Sequence, residues 1–153
     1  MTAPAKAANT PFTATSGQLA TFRLDGDLYG VEVEHVQEVL KSQGLTRVPL
    51  APAAVAGLIN LRGQVVTAIE LRERLGRPPR PEGTDAVVIV VRLHGEAVSL
   101  LVDSIADVVD VDAADFEAPP DTLEGQARDL IRGAYKLDGQ LLLALDVHKA
   151  VSP

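Results

Sequence analysis

The sequence predicts a mainly β protein built as two copies of one small unit. Short Val- and Leu-rich runs alternate in polarity between turn residues, as half-buried strands do. Phe22-Arg23-Leu24-Asp25-Gly26-Asp27 resembles Val91-Arg92-Leu93-His94-Gly95-Glu96, and that match runs without gaps to Val39 and Val108, at a constant offset of 69 residues. Gly57 to Gln64 then aligns with Gly133 to Gln140 at an offset of 76. Two matches in the same order predict a duplication. Units of about five short strands suit small closed barrels, because closure removes exposed edges.

The elements follow in order. Leu19–Asp25 and Leu28–Val33 read as strands, joined by an Asp25-Gly26 pair that favours a type I′ hairpin. Glu34–Leu40 reads as a short helix, and Ser104–Val109 as its equivalent in the second half. Val65–Leu71, Ala86–Leu93, Ala97–Val102 and Leu141–Leu145 read as strands. Leu71–Leu75 is a helix stopped by Gly76 with prolines beyond. Asp146 is placed to cap a terminal turn that ends near Val151. Gly26, Gly63, Gly95 and Gly139 fall at hairpin turns, where positive φ is needed. Pro49, Pro52, Pro119 and Pro120 mark loops.

The domain organisation follows. Residues 1–17, rich in Ala, Thr and Pro, read as a disordered leader without the apolar segment of a secretion signal. Residues 18–153 form the folded part, in subdomains of about 18–80 and 81–153, with strand exchange between them left open. Arg77-Pro78-Pro79-Arg80-Pro81-Glu82-Gly83 is an exposed linker. The densest basic run, Arg72, Arg74, Arg77 and Arg80, reads as a solvated helix end and linker.

Composition narrows the function. A net charge of -7 argues against binding nucleic acid or an anionic membrane. Five Phe and Tyr residues and no Trp make a poor base-stacking platform. No apolar run is long enough to insert into a bilayer. The chain has no Cys, so thiolate metal sites and disulfides are excluded and a reducing cytoplasm is suited. His35, His94 and His148 share no local ligand spacing, so no zinc site is expected. His94 belongs at a hairpin turn facing water. The run Asp103, Asp107, Asp110, Asp112, Asp115, Glu117 fails the calcium-loop pattern, since position six from Asp107 is Asp112 and position twelve is Ala118; it reads as a solvated acidic loop. No phosphate-binding glycine loop or nucleophile elbow is present. No cofactor, metal or catalytic residue is expected. The alternative reading is a small-barrel enzyme using carboxylates or a metal ion.

The segment Gly57-Leu58-Ile59-Asn60-Leu61-Arg62-Gly63-Gln64-Val65-Val66 resembles the signature of the CheW-like domain family. Phe22 through Leu40 is similar to that family's first hairpin and helix, Thr46-Arg47-Val48-Pro49 to its next strand, and Val102-Asp103-Ser104-Ile105-Ala106-Asp107-Val108 to a second-half motif. The likeness spans about residues 18 to 151. Three features depart from it: Thr67-Ala68 where a Pro is usual, Glu70 for Asp, and Ser99 where Gly is common.

The resemblance implies two SH3-like five-stranded β-barrels packed together, with short helices. It also implies a non-enzymatic adaptor that couples methyl-accepting chemoreceptors to the histidine kinase CheA, in the cytoplasm at membrane receptor arrays. The implied partners are the receptor's cytoplasmic tip, the kinase's regulatory domain, and other CheW-like domains in rings. For the receptor it suggests Val33, Val36, Glu38, Gly57, Arg62, Val87, Val98, Ser99 and Val102, with Glu38 and Arg62 facing each other. The valines also suit plain barrel core. The pair's repeat counterparts, Asp107 and Asp138, are both acids and cannot form the same contact. For the kinase it suggests Leu45, Thr46 and Arg47, with Phe116 as an anchor on the second unit; core burial of Phe116 is the other reading.

Overall fold

The computed structural model describes residues 17–41, 44–123 and 125–152; most of the expected leader lies outside the described residues. The chain opens with strands β1 (Gly17–Leu24) and β2 (Asp27–Glu32), a 3-10 turn at Val33–His35, then β3 (Val36–Lys41) and β4 (Leu45–Thr46). Strands β5 (Val55–Leu61) and β6 (Gln64–Glu70) lead into helix α1 (Leu71–Arg74). The second half supplies β7 (Val87–Leu93), β8 (Glu96–Val102), β9 (Ser104–Val111) and β10 (Phe116–Glu117). Helix α2 (Gly125–Leu130), strands β11 (Ile131–Leu137) and β12 (Gln140–Leu145) and helix α3 (Val147–Ala150) complete it.

The strands form two six-stranded sheets, ordered β10-β11-β12-β2-β1-β9 and β4-β5-β6-β8-β7-β3. The orders are the same once each strand is replaced by its repeat counterpart. Register agrees as well. Ala20 pairs with Val108, as Ile89 pairs with Val39. Leu143 pairs in parallel with Tyr29, as Thr67 does with Val98. The bulges recur too, between Val36 and Glu38 in one sheet and between Ala20 and Phe22 in the other. Neither sheet is made from one repeat. The β1–β2 hairpin joins β9–β12, and the β7–β8 hairpin joins β3–β6.

This exchange sets the core. Along β7, Ile89, Val91 and Leu93 face a core shared between the sheets, while Val88 and Val90 face the opposite way. Phe22 and Tyr29 meet the shared core from the other sheet, stacked 5.8 Å apart. The second face of each sheet packs on residues of its own strands: Ile59, Leu61, Val66 and Leu101 in one, Leu19, Leu28, Tyr135 and Leu142 in the other. A sheet buries its second face on itself only by curling. Each fully buried Leu, Ile or Val contributes about 1.5–3 kcal/mol.

The mainly β, two-sheet architecture is the one expected. Each sheet holds six strands, not five, because the two-residue strands β4 and β10 add at the edges. Two expected helices are strands. Glu34–Leu40 is the end of the 3-10 turn followed by β3, and Ser104–Val109 lies within β9. Short apolar runs leave helix and strand ambiguous; pairing of β3 on β7 and of β9 on β1 decides for strand. The acidic run is accordingly not a loop: Asp107 and Asp110 lie on β9, and Asp112 accepts a hydrogen bond from the Ala114 N–H.

The basic run is not solvated either. Arg72 is buried, donating to Asp103 at 2.6 and 3.0 Å and to the Pro78 carbonyl at 2.8 Å. Arg80 bridges Glu70 and Asp103 at 3.0–3.2 Å, and Arg77 reaches Asp25, Asp27 and the Tyr29 hydroxyl. The proline-rich linker folds back on these carboxylates, and so its cations leave solvent.

Candidate protein-docking site

The Asn60-Leu61-Arg62-Gly63 turn is built residue by residue. Arg62 and Gly63 have φ of 51° and 86°, the left-handed pair of a type I′ hairpin. The Asn60 side-chain carbonyl accepts from the Gly63 N–H at 2.9 Å and braces the turn. Leu61 anchors it in the small core of that sheet. Arg62 is thereby lifted into solvent, 74% exposed, yet is fixed at its tip. Its two terminal nitrogens donate to the two Glu38 oxygens at 2.7 and 2.5 Å. Glu38 stands on edge strand β3, and β5–β6 lies at the far side of the same sheet. The pair therefore joins two distant parts of a curled sheet.

The bulge between Val36 and Glu38 aims these neighbours differently. Val36 packs against the shared core, while Leu40 packs on the small core. The hydrogen bonds from Arg62 hold the Glu38 carboxyl below its ordinary range, and Glu38 raises Arg62 in turn. Both charges persist at neutral pH. A bidentate guanidinium–carboxylate fork has defined geometry and an exposed rim.

The valines divide into two groups. Val36, Val91 and Val98 form one row across β3, β7 and β8. Val36, Val87 and Val98 are half-buried at the margin of the shared core, and Val33 is half-buried in the 3-10 turn. Val102 is wholly buried in that core and Ser99 is wholly buried beside it, so neither presents a surface. Gly57 is also buried. A Cβ there would sit 2.4 Å from the Thr46 carbonyl oxygen, so the glycine lets β4 approach β5.

Leu45, Thr46 and Arg47 are exposed on and just beyond β4. Phe116 stands on β10, half-buried, its ring 5.0 Å from Tyr135. Leu45 pairs with Ile59 as Phe116 pairs with Tyr135, so the two occupy equivalent places on the edges of different sheets. They are not one patch. Sequence reading missed Val39 and Val65, which are 44% and 62% exposed on the two elements joined by the ion pair. Their repeat counterparts, Val108 and Leu141, are also exposed. That recurrence was the available signal, but exposure is not written in a strand's composition.

Residues 18–152 match the CheW-like domain. A chemotaxis protein CheW of Treponema pallidum is 32% identical over 139 residues, covering 88% of this chain and 82% of that protein. One from Bacillus subtilis is 29% identical over 134 residues, covering 88% and 86%. The crystal structure of a scaffolding protein CheW from Thermoanaerobacter tengcongensis superposes with a TM-score of 0.79 at 28% identity, covering 91% of this chain and 94% of that one. The repeat, the exchanged hairpins and the Asn-Leu-Arg-Gly turn thus fall within one match, and the chain belongs to the CheW-like domain family.

Proposed function

We propose that this chain is a non-enzymatic scaffold of bacterial chemosensory signalling, coupling chemoreceptors to the histidine kinase CheA. The observation that carries the reading is the exposed Arg62–Glu38 fork beside half-buried valines, in a member of a family whose relatives are chemotaxis proteins. A helical receptor tip fits such a place: apolar rim residues supply contact and the fork supplies orientation. Val33, Val36, Val87 and Val98 form that rim, with Val39 and Val65 extending the apolar surface. The buried Val102, Ser99 and Gly57 act from beneath by shaping it.

The β4 edge, with Leu45, Thr46 and Arg47, is the face assigned to the kinase regulatory domain. The equivalent β10 edge, with Phe116, offers a second anchor for the kinase, and the two edges together allow ring contacts with other CheW-like domains. Two separate edges carrying different residues supply the two distinct patches that head-to-tail association requires. The protein works in the cytoplasm, recruited to receptor arrays. No helix among the described residues is long and apolar enough to cross a membrane. No observation favours the enzyme alternative.

The test is reconstitution with a receptor fragment and kinase. Arg62→Glu places two carboxylates at the fork, and receptor-dependent kinase control is expected to fall at least about tenfold. The thermal midpoint should stay nearly unchanged, since Arg62 is exposed and such an ion pair contributes little to stability. Full control by the variant, or loss of fold instead of loss of coupling, counts against the reading.

A further inference from the structure

The chain has three histidines in all, distant in sequence, and the fold gathers them. His35 ends the 3-10 turn between the two sheets, His94 forms the β7–β8 turn with φ of 51°, and His148 lies in α3. The His148 ring is 5.2 Å from that of His94 and 5.5 Å from that of His35, centroid to centroid. His94 and His148 are exposed, while the His35 side chain is 24% exposed and lies 3.6 Å from Glu32. Neither the hairpin turn nor the exposed face of a short helix needs an imidazole for packing.

Imidazole is the side chain that most often ligates transition metals. Metal–nitrogen bonds of about 2.0–2.1 Å put two rings sharing one ion about 5–6 Å apart at their centres. Among the described residues no group of three or more His, Asp or Glu side chains is arranged to hold a metal ion. Both centroid separations fall in that range, with His148 common to the two pairs.

We propose that His148, with His94 as its principal partner, binds one divalent transition-metal ion of the zinc, nickel or copper class, water completing the shell. His35 is the alternate partner. Hard cations such as magnesium prefer oxygen ligands and are not taken. The site spans the join between sheets, since His94 belongs to the β7–β8 hairpin and α3 follows β12 of the other sheet. Bound metal therefore clips α3 to that hairpin. The neighbouring charges are Glu32, which also meets Arg132, Lys149 on α3, Arg74, which donates to the Lys149 and Ala150 carbonyls, and Arg92, which donates to the Gly95 carbonyl beside His94. Glu32 favours the cation, while Lys149, Arg74 and Arg92 limit its affinity.

The test titrates the full chain with zinc chloride and then nickel chloride by calorimetry, and follows the thermal midpoint. Expected is saturable one-to-one binding in the micromolar range, with a higher midpoint and no response to magnesium. Ligation needs an unprotonated nitrogen, so affinity should fall at least about tenfold from pH 7.5 to 5.5. His148→Ala should weaken zinc binding at least about tenfold, and His94→Ala should do so by more than His35→Ala. His148→Gln serves as a second variant if the alanine form unfolds. Undiminished binding by folded His148 variants, or no binding by the natural chain at millimolar zinc, overturns the proposal.

Discussion

Two residues show how a single atom decides local structure. The Ser99 hydroxyl is wholly buried without a hydrogen-bond partner. Its repeat counterpart is Gly30, which has no polar atom to strand. An unsatisfied buried hydroxyl costs about 1–3 kcal/mol, so Ser99→Ala should raise stability by about 1 kcal/mol in urea unfolding; a lower midpoint would refute this. Gly57 and Gly133 are counterparts whose missing Cβ atoms admit β4 and β10. A Cβ on Gly133 would meet the Glu117 carbonyl at 2.5 Å and the Phe116 ring closer still. Gly57→Ala should therefore cost about 1–3 kcal/mol and detach β4, read as faster amide exchange at Leu45 and Thr46. Unchanged exchange there would mean the approach is not required.

At the scale of elements, the network of Arg72, Arg80, Glu70 and Asp103 fastens the linker to α1 and to the end of β8. Burial alone would raise the Asp103 carboxyl. The Arg72 hydrogen bonds, the Asp25 N–H and the nearby guanidinium charges outweigh burial and lower it. A carboxylate lowered in the folded state stabilises fully above its unfolded value, and that stability is lost as pH falls below about 4. Acid unfolding of Asp103→Asn should accordingly be flatter below pH 4 than that of the natural chain. Arg72→Ala leaves Asp103 with one guanidinium and should cost about 2–3 kcal/mol, less than a fully buried pair because solvent reaches the carboxylate. Faster proteolysis within residues 77–83 would accompany it. Equal cleavage of both forms would show that the linker is held by other means.

Across the whole molecule, exchanged hairpins make the two repeats interdependent. Neither sheet exists without strands from both halves. A fragment cut within the linker exposes an unpaired sheet edge and half of the shared core. The natural chain should unfold in one cooperative transition, and residues 17–80 alone should lack the circular dichroism of a folded sheet. Two separate transitions, or a folded fragment, would contradict this. The duplicated frame has also diverged at one place with consequence. Arg62 and Glu38 form a fork in one sheet, and the equivalent Asp138 and Asp107 cannot form one in the other.

Much of this was legible in sequence because its causes are local or repeated. Hairpin glycines declare positive φ, β-branched runs declare strands, and constant offsets declare duplication before any contact is known. The Asn60 to Gly63 turn and the facing of Glu38 and Arg62 were readable on that basis, the latter through family resemblance. Strand identity at β3 and β9 was not, since those runs take their state from partners 46 to 94 residues away. The burial of the Arg72 and Arg80 charges, the closure of each sheet on its own core and the meeting of three histidines were equally hidden. Each depends on which hairpin joins which sheet, and that choice is settled by the apolar surface buried between distant segments, a property of the packed chain and of no single stretch of it.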